Sequence, residues 1–220
     1  MPRAIVTGAN RGIGLELCRA LSARGYEVTA LCRKPNAELN ALPVDVYKGY
    51  DVTDEQAMQD FAATIAPGSV DLLINNAGIL ESVPLDRLDL ESIRRQFEVN
   101  ALGPLRVTAS LLPALKAGAK IALLTSRMGS IADNESGGSY GYRMSKSALN
   151  AAGASLARDL KSRDIAVAIL HPGWVKTDMT GNSGLIEATE AVAGLLARID
   201  ELNLANSGTF WHSNGEVLPW

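Results

Sequence analysis

Short apolar runs alternate with longer amphipathic stretches along this sequence, and no other feature limits the possible folds as strongly. Six runs rich in Val, Ile and Leu have the length and composition of buried parallel strands: residues 4–7, 26–32, 45–50, 70–75, 120–125 and 165–171. Stretches with apolar residues three and four positions apart predict helices at residues 13–23, 55–65, 90–115 and 145–161. This alternation predicts an α/β fold: a doubly wound parallel sheet with right-handed crossovers and helices on both faces.

The end of the sequence and its length both fit one domain. Residues 187–201 and 208–213 predict one more helix and one more strand, which bring the sheet to about seven strands. The chain has 220 residues, 47% of them hydrophobic, which suffices for one substantial core but is short for two. The polar residues 133–139 are too few for a linker and predict an active-site loop. We therefore expect a single domain over residues 1–220.

Charge and hydropathy exclude several classes of partner. The net charge is -3, and Lys and Arg are scattered, which argues against nucleic acid or an anionic membrane as a partner. No stretch reaches the roughly 18 consecutive apolar residues that a membrane span needs, and the first residues lack the pattern of a secretory signal. We expect a soluble, cytoplasmic protein that acts on a small molecule.

Three glycines directly follow the first predicted strand. Gly8, Gly12 and Gly14 have the spacing TGxxxGxG, and a helical pattern begins at once after them. Glycine permits a tight turn and lets backbone N–H groups approach a pyrophosphate, while the positive end of the next helix favours the anion. A glycine-rich turn that binds nothing is the alternative. The position between strand and helix favours a dinucleotide-binding loop, and therefore a sheet of the Rossmann type.

The residues after the second predicted strand bear on which dinucleotide binds. An acidic residue there would bond to a free ribose 2'-hydroxyl and repel a 2'-phosphate, but the sequence reads Leu31, Cys32, Arg33, Lys34. Arg33 can form charge-assisted hydrogen bonds to a 2'-phosphate, and Arg11 in the glycine loop adds a second cation. A solvated strand end is the alternative for Arg33. The charges favour NADP(H) as the cofactor, with NAD(H) still possible.

Tyr142 and Lys146 are four residues apart on a predicted helix, so their side chains lie on one face. An ammonium and a bound nicotinamide cation would favour the phenolate and lower the Tyr142 pKa toward a range useful for proton transfer. The spacing alone is common in helices with no catalytic role. Ser126, at the carboxyl end of the fifth strand, adds a hydrogen-bond donor for a substrate oxygen. Ser130 and Tyr140 are the rivals of Ser126 and Tyr142, but Tyr140 has no Lys four residues later.

Ordered motifs extend this pattern over almost the whole chain. They are TGANRGIG at 7–14, Asp51, NNAG at 75–78, Asn100, Ser126, the Tyr142/Lys146 pair and PGWVKTDM at 172–179. Together they resemble the short-chain dehydrogenase/reductase family. Residues 129–150 and the ending SGTFWHSNGEVLPW are similar to the branch that contains C-factor-like signalling proteins and sniffer-type carbonyl reductases.

The resemblance implies a role for each matching residue. Asn100, Ser126, Tyr142 and Lys146 would form the catalytic tetrad, in which Lys146 also binds the nicotinamide ribose and Asn100 holds a water that links Lys146 to solvent. Asp51 and Val52 would flank the adenine, Asn76 to Gly78 would pass the adenine ribose, and Val175 with Thr177 would contact the carboxamide. The whole cofactor site would contain Gly8, Asn10, Arg11, Gly12, Ile13, Gly14, Arg33, Asp51, Val52, Asn76, Ala77, Gly78, Tyr142, Lys146, Pro172, Gly173, Val175 and Thr177. Alternatively, Asn75 and Asn76 form only a turn after a strand, and Pro172 and Gly173 only end a secondary-structure element.

The substrate side departs from the family pattern. After PGWVKTDM, residues 180–185 soon give way to the helix predicted from residue 187, where the family usually has a longer covering loop, so we expect a more open site. Met128, Ile131, Trp174 and Met179 could line an apolar substrate surface or belong to the core. His171 and His212 have no Cys or His at ligand spacing, so we expect packing roles and no metal site.

Two functions remain open. In the first, the chain transfers hydride between the nicotinamide and a carbonyl or secondary alcohol, with Tyr142 as acid/base. In the second, a C-factor-like regulatory protein binds the dinucleotide with little physiological catalysis. Ser126 together with Tyr142 favours the enzyme, because binding alone explains only the glycines. The family often forms dimers or tetramers through the helices at 90–115 and 145–161, so a homodimer or homotetramer is a further expectation.

Overall fold

The protein is described by a computed structural model that covers residues 1–82 and 84–220. The strands are β1 (Arg3–Thr7), β2 (Glu27–Cys32), β3 (Asp45–Lys48), β4 (Val70–Asn75), β5 (Leu115–Leu124), β6 (Ala166–His171) and β7 (Phe210–His212). The helices are α1 (Gly12–Ala23), α2 (Ala37–Asn40), α3 (Glu55–Ala63), α4 (Leu90–Phe97), α5 (Gly103–Leu111), α6 (Tyr140–Asp159) and α7 (Ala188–Glu201).

The seven strands form one parallel sheet in the order β3-β2-β1-β4-β5-β6-β7. The chain builds outward from β1 to β3, crosses back to place β4 beside β1, and then builds outward in the other direction. This is the doubly wound Rossmann-type arrangement that the sequence predicts, and the fold class is confirmed. The order reverses between β1 and β4, so the carboxyl ends of these two strands border the crevice where such sheets bind ligands.

Both faces of the sheet are covered, which is why the strands are apolar without alternation. On one face, Ala4 and Val6 of β1 belong to a buried cluster with α1 and α7, including Leu21 and Leu195. On the other face, Ile5 belongs to a second cluster with α3, α5 and α6. Within the described ranges, no helix has both the length and the apolar character needed to cross a membrane.

The prediction of one continuous helix over residues 90–115 was wrong: the helical stretch is interrupted, and it ends before residue 115. The structure divides it into α4, a π-helical segment at Glu98–Leu102, and α5, which ends at Leu111. The strand predicted at 120–125 begins earlier, at Leu115. The hydrogen bonds of a π-helical segment span five residues and not four, and helical periodicity in the sequence does not reveal this difference.

The helix predicted at 145–161 begins five residues earlier, at Tyr140. Its first turn follows Ser139, whose φ of 46° is left-handed, and a glycine-rich stretch that hides the helix start in the sequence. The earlier start places Tyr142 and Lys146 on the same helix, as their spacing predicts. The short helix α2 was not predicted; it is capped by Asn36, whose side chain accepts from the N–H of Leu39 at 2.9 Å.

Helix α6 packs closely on the sheet at Gly153. A Cβ at this position would lie 2.7 Å from side-chain carbons of Ile169 and 2.9 Å from Leu123. Contacts this short require the surrounding core to move. Gly153 therefore sets the distance between the sheet and the helix that carries Tyr142.

Replacing Gly153 with valine should lower the free energy of unfolding by about 1–3 kcal/mol, because the added carbons overpack the core between α6 and β6. Urea unfolding of the purified protein measures the effect. The control is Ala151→Val, an exposed position on the same helix, which should cost only the small helix propensity of valine, below about 1 kcal/mol. Equal losses in the two variants would show that the close packing at Gly153 does not limit stability.

Candidate active site

A cavity of about 320 Å³ opens where β5 and β6 end, and its walls contain Ser126 and Tyr142 together. Ile13, from the start of α1, lines another side. The segment 172–177 contributes Pro172, Gly173, Val175 and Thr177. The fold thus brings residues from four separated motifs to the edge of the sheet where a ligand is expected.

Close approach requires glycine at two positions of the glycine loop. A Cβ on Gly14 would overlap the carbonyl oxygen of Gly8, and a Cβ on Gly8 would lie 2.8 Å from the Cα of Ala77. Gly8 and Gly12 also have φ values of 66° and 52°, which favour glycine. The loop therefore has the tight turn and the exposed backbone that a pyrophosphate cradle needs.

Thr7 and Asn76 fix the crevice between β1 and β4. The Asn76 side-chain amide donates to the carbonyl oxygens of Thr7 at 2.9 Å and Gly8 at 3.1 Å. The Thr7 hydroxyl accepts from the backbone N–H groups of Asn76 and Ala77, both at 3.1 Å. The Asn76 side chain thus supports the glycine loop, and Ala77 and Gly78 follow it along the crevice.

Arg33 lies exposed at the carboxyl end of β2, beside the glycine loop. Its side chain is 69% exposed, and its Nη1 is 3.7 Å from Oδ2 of Asp51. The other Asp51 oxygen accepts from the N–H and hydroxyl of Thr53. Asn10 donates to the carbonyl oxygen of Lys34 at 3.0 Å and ties the loop to this strand end. The Arg33 guanidinium is only loosely paired, so it is free to turn toward an anion.

The segment 172–179 contacts the glycine loop from the other side. Nη1 of Arg11 is 3.3 Å from Oδ2 of Asp178, in an exposed ion pair. The Cγ2 of Thr177 lies 3.2 Å from where a Cβ of Gly12 would be.

Val52, which the sequence resemblance places beside the adenine, is buried, and its carbonyl oxygen accepts from the Arg106 side chain at 2.8 Å.

Tyr142 is buried in the cavity wall that it shares with Ser126. The Ser126 hydroxyl accepts from the N–H of Met128 at 3.2 Å. Burial raises the pKa of Tyr142 to about 12, and the nearby Ser126 side chain offsets only part of this rise. A pKa lowered by Lys146 is therefore not found in the protein alone, because desolvation of the phenolate dominates.

Lys146 is buried directly beside Tyr142. Its Nζ donates to the carbonyl oxygen of Leu124 at 2.8 Å and lies 5.7 Å from the centre of the Tyr142 ring. Burial lowers the pKa of Lys146 to about 8. A Cβ on Gly129 would lie 2.8 Å from the Lys146 carbonyl carbon, so the turn after Ser126 packs against this part of the helix.

Asn100 is fully buried in the π-helical segment. Its Oδ1 accepts from the N–H of Ile79 at 2.8 Å, and its Nδ2 donates to the Ile79 carbonyl at 2.9 Å and the Ser145 hydroxyl at 3.0 Å. A Cβ on Gly78 would lie 3.3 Å from Oδ1 of Asn100 and 3.6 Å from Nζ of Lys146. Asn100 and Lys146 thus flank Gly78, and the Asn100 side chain joins this loop to α6.

Comparison with known families is consistent with this assembly of motifs. The family described as short chain dehydrogenase matches residues 2–187. The chain belongs to the short-chain dehydrogenase/reductase family.

Individual members of the family are similar over most or all of this chain. A 1-hydroxy-2-glutathionyl-2-methyl-3-butene dehydrogenase of Rhodococcus sp. (strain AD45) is 40% identical, with 100% of both chains covered. C-signal of Myxococcus xanthus is 47% identical over 74% of this chain and 100% of its own. Among solved structures, the carbonyl reductase Sniffer of D. melanogaster superposes with a TM-score of 0.92 at 30% identity, with 100% of both chains covered. An NADPH-bound carbonyl reductase from chicken fatty liver gives 0.91 at 31%, covering 100% of this chain and 99% of its own.

The sequence analysis missed part of the wall of this dehydrogenase/reductase cavity. Of the two alternatives that the sequence left open, Met128, Trp174 and Met179 line the cavity, but Ile131 is 80% exposed and borders a neighbouring groove instead. Arg143 was not singled out, because the sequence does not show whether an arginine on this helix has an acidic partner. The predicted active-site loop at 133–139 contributes Asp133 and Ser136 to the wall. The missed lining residues are Leu80, Thr125, Arg127, Arg143, His171 and Thr180.

The two histidines pack against each other at the ends of β6 and β7. The rings of His171 and His212 are 4.9 Å apart and nearly perpendicular. Burial lowers the pKa of His171 to about 3, so this ring is neutral at physiological pH. In residues 1–82 and 84–220, no three His, Cys, Asp or Glu side chains are grouped to hold a metal ion.

Burial of Lys146 predicts a pH-dependent stability. The unfolded chain keeps the lysine proton up to its ordinary pKa of 10.5, whereas the folded chain releases it near 8, so the free energy of unfolding rises with pH between these values. Lys146→Met removes this dependence. From about pH 7 to about pH 10, the wild type should gain roughly 2–3 kcal/mol relative to the variant in urea unfolding. Lys161→Met, at an exposed site, is the control and should show no such trend; a flat difference for Lys146→Met would contradict the depressed pKa.

Proposed function

We propose that this chain is an NADP(H)-dependent oxidoreductase that transfers hydride between the nicotinamide and a carbonyl or secondary alcohol, with Tyr142 as the proton donor and acceptor. The observation that carries the proposal is the shared cavity wall of Ser126 and Tyr142, with the buried Lys146 behind it and the start of α1 across from it. A site built only to hold a dinucleotide would not need two hydroxyl groups facing one apolar cavity.

The glycine loop fits a dinucleotide. Gly8 and Gly14 leave no room for a Cβ, and the N-terminus of α1 follows directly, so backbone N–H groups can approach a pyrophosphate there. When bound, NADP(H) supplies or accepts the hydride. Ala77, Gly78 and the segment 172–177 border the rest of the crevice, which makes them candidates to hold the riboses and the nicotinamide.

Tyr142 is suited to donate a proton during carbonyl reduction. Its raised pKa keeps the phenol protonated at neutral pH, and Ser126 lines the same cavity as Tyr142. Ser126 would hold the substrate oxygen beside the phenol while negative charge develops on that oxygen. In alcohol oxidation the same two groups act in reverse.

Lys146 would return the proton to Tyr142 and hold the nearby ribose. Its pKa of about 8 lies close to neutral pH, so it can release and accept a proton there. The Asn100 side chain bonds to Ile79 and Ser145 and so keeps the segment beside Lys146 in place. In this proposal Asn100 does not transfer a proton itself. It positions the segment beside Lys146, the residue that returns the proton to Tyr142.

The charge pattern supports NADP(H) over NAD(H). Arg33 is exposed at the end of β2. Arg11 lies in the glycine loop, and its ion pair with Asp178 is exposed to solvent. Solved relatives include the carbonyl reductase from chicken fatty liver with NADPH bound, at 31% identity, and a short-chain dehydrogenase/reductase from Burkholderia multivorans with NADP bound, at 28% identity. The name of the Rhodococcus relative specifies a dehydrogenase of a glutathionyl-substituted hydroxy compound, which supports carbonyl or alcohol chemistry here.

Likeness to C-signal supports a second candidate, a regulatory protein that binds the dinucleotide. This candidate explains the glycine loop but leaves the burial of Lys146 against Tyr142 without a purpose. The enzyme accounts for both features, so we favour it.

Tyr142→Phe removes the phenolic hydroxyl and little else, so it should lower kcat at least about 100-fold while NADPH binding is retained. Turnover is followed by NADPH consumption with a panel of aldehydes, ketones and quinones, and binding by calorimetry. Tyr140→Phe is the matched control: it makes the same change two residues earlier, where no lysine follows at four residues. Full activity of Tyr142→Phe, or an equal loss in Tyr140→Phe, would refute the role of Tyr142.

Arg33→Gln should lower kcat/KM for NADPH roughly tenfold and leave that for NADH nearly unchanged, because only the 2'-phosphate loses a charged partner. Steady-state kinetics with both cofactors measure the ratio. Lys161→Gln, a cation removed from an exposed site away from the crevice, is the control. A wild-type preference for NADH would overturn the cofactor assignment.

A further inference from the structure

Arg143 is a cation in the wall of the catalytic cavity that the described ion pairs leave without an acidic partner. Its Nε donates to the Gly137 carbonyl at 3.1 Å, Nη2 to the Ser136 hydroxyl at 2.8 Å, and Nη1 to the Met128 carbonyl at 3.4 Å. All three acceptors are neutral. A guanidinium has five N–H donors, so two remain for a ligand, and the full charge is retained.

Arg127, the second arginine of the cavity, does have acidic partners. Arg127 pairs with Asp133 at 3.0 Å and with Glu216 at 2.8 Å. Asp133 is the one carboxylate among the described residues that line the cavity, and it is occupied by this pair. Helix α6 adds no acidic residue in its first turn. The charge of Arg143 is therefore not cancelled by the groups around it.

The remaining lining is largely apolar. Leu80, Met128, Val175 and Met179 face the same space as Arg143. Arg143 directly follows Tyr142 in α6, so the cation stands one residue away from the proposed proton donor. A carbonyl held at Tyr142 would have an apolar body against these side chains and could place an anionic group at Arg143.

We infer that Arg143 determines substrate choice, and that the enzyme prefers carbonyl or alcohol substrates that carry a carboxylate over uncharged ones of the same shape. The inference rests on the proposed function for the location of the reacting carbonyl. A carboxylate matches the planar fork of a guanidinium and can accept two N–H groups at once. Since this contact is made equally before and during the reaction, it should act on KM and leave kcat nearly unchanged.

Two matched aldehydes test the inference: 4-carboxybenzaldehyde and its methyl ester. In the wild type, kcat/KM with NADPH should be about tenfold higher for the acid. Arg143→Gln should remove this advantage through a higher KM for the acid, with the ester changed less than about twofold. Arg143→Lys, which keeps the charge but not the fork, should retain part of it. Arg158→Gln removes an exposed cation from the last turn of the same helix and should change neither substrate.

A purely structural Arg143 gives a different result. If its three hydrogen bonds only support the loop at 128–137, Arg143→Gln lowers kcat/KM for both aldehydes by the same factor, which overturns the inference. Equal kcat/KM for acid and ester in the wild type also overturns it.

Binding separates this inference from the proposed function. Calorimetry measures the affinity of both aldehydes for the wild type and Arg143→Gln with NADP⁺ present, where reduction of an aldehyde does not occur. If the wild type binds the acid more tightly than the ester and Arg143→Gln loses this difference, the inference is supported. This holds even if no turnover is found, since absence of turnover refutes only the proposed reductase activity. Equal binding of acid and ester, with turnover present, refutes the role of Arg143 and leaves the reductase in place.

Discussion

Hydrogen bonds from Thr7 and Asn76 hold β1 and β4 together where the sheet reverses its order, and the geometry of the whole site depends on them. The Asn76 side-chain amide donates to the carbonyl oxygens of Thr7 and Gly8, where the chain enters the glycine loop. The Thr7 hydroxyl accepts from the backbone N–H groups of Asn76 and Ala77. Gly14 then contacts Gly8 so closely that α1 starts at a fixed place. A shift here would move the start of α1 and the loop at Gly78 at the same time.

A second constraint is the burial of polar groups along α6. Asn100, Ser145 and Lys146 are buried, and each has a hydrogen-bond partner within the protein. Thr125 adds a further bond, from its hydroxyl to Oδ1 of Asn150 at 2.6 Å. Buried polar groups are costly unless they are paired, so such a network favours one arrangement of its members. It therefore places Tyr142 and Lys146 before any ligand arrives.

Much of this could be predicted from the sequence, because strands buried on both faces and loops rich in glycine leave direct traces in composition and spacing. The sheet, the glycine loop and the neighbourhood of Ser126 and Tyr142 were all predicted. The π-helical turn at Asn100 was not, because apolar spacing predicts that a stretch is helical but not which backbone hydrogen bonds each turn makes. The raised pKa of Tyr142 could not be predicted either, since it depends on how much water the folded site excludes. Arg143 required the structure for another reason: whether a cation is paired depends on residues distant in sequence.

The segment from Trp174 to Ile186 closes on itself before α7 begins. The Trp174 carbonyl accepts from the backbone N–H groups of Leu185 and Ile186, and the backbone N–H of Lys176 donates to the Ile186 carbonyl at 2.9 Å. Leu185, near the end of this segment, is 83% exposed. A loop whose ends are already joined tolerates added length at small entropic cost, about 0.6 kcal/mol for each doubling. For enzyme engineering, this segment is a natural insertion point. Residues added there would cover the cavity and change substrate selectivity without altering the crevice between β1 and β4.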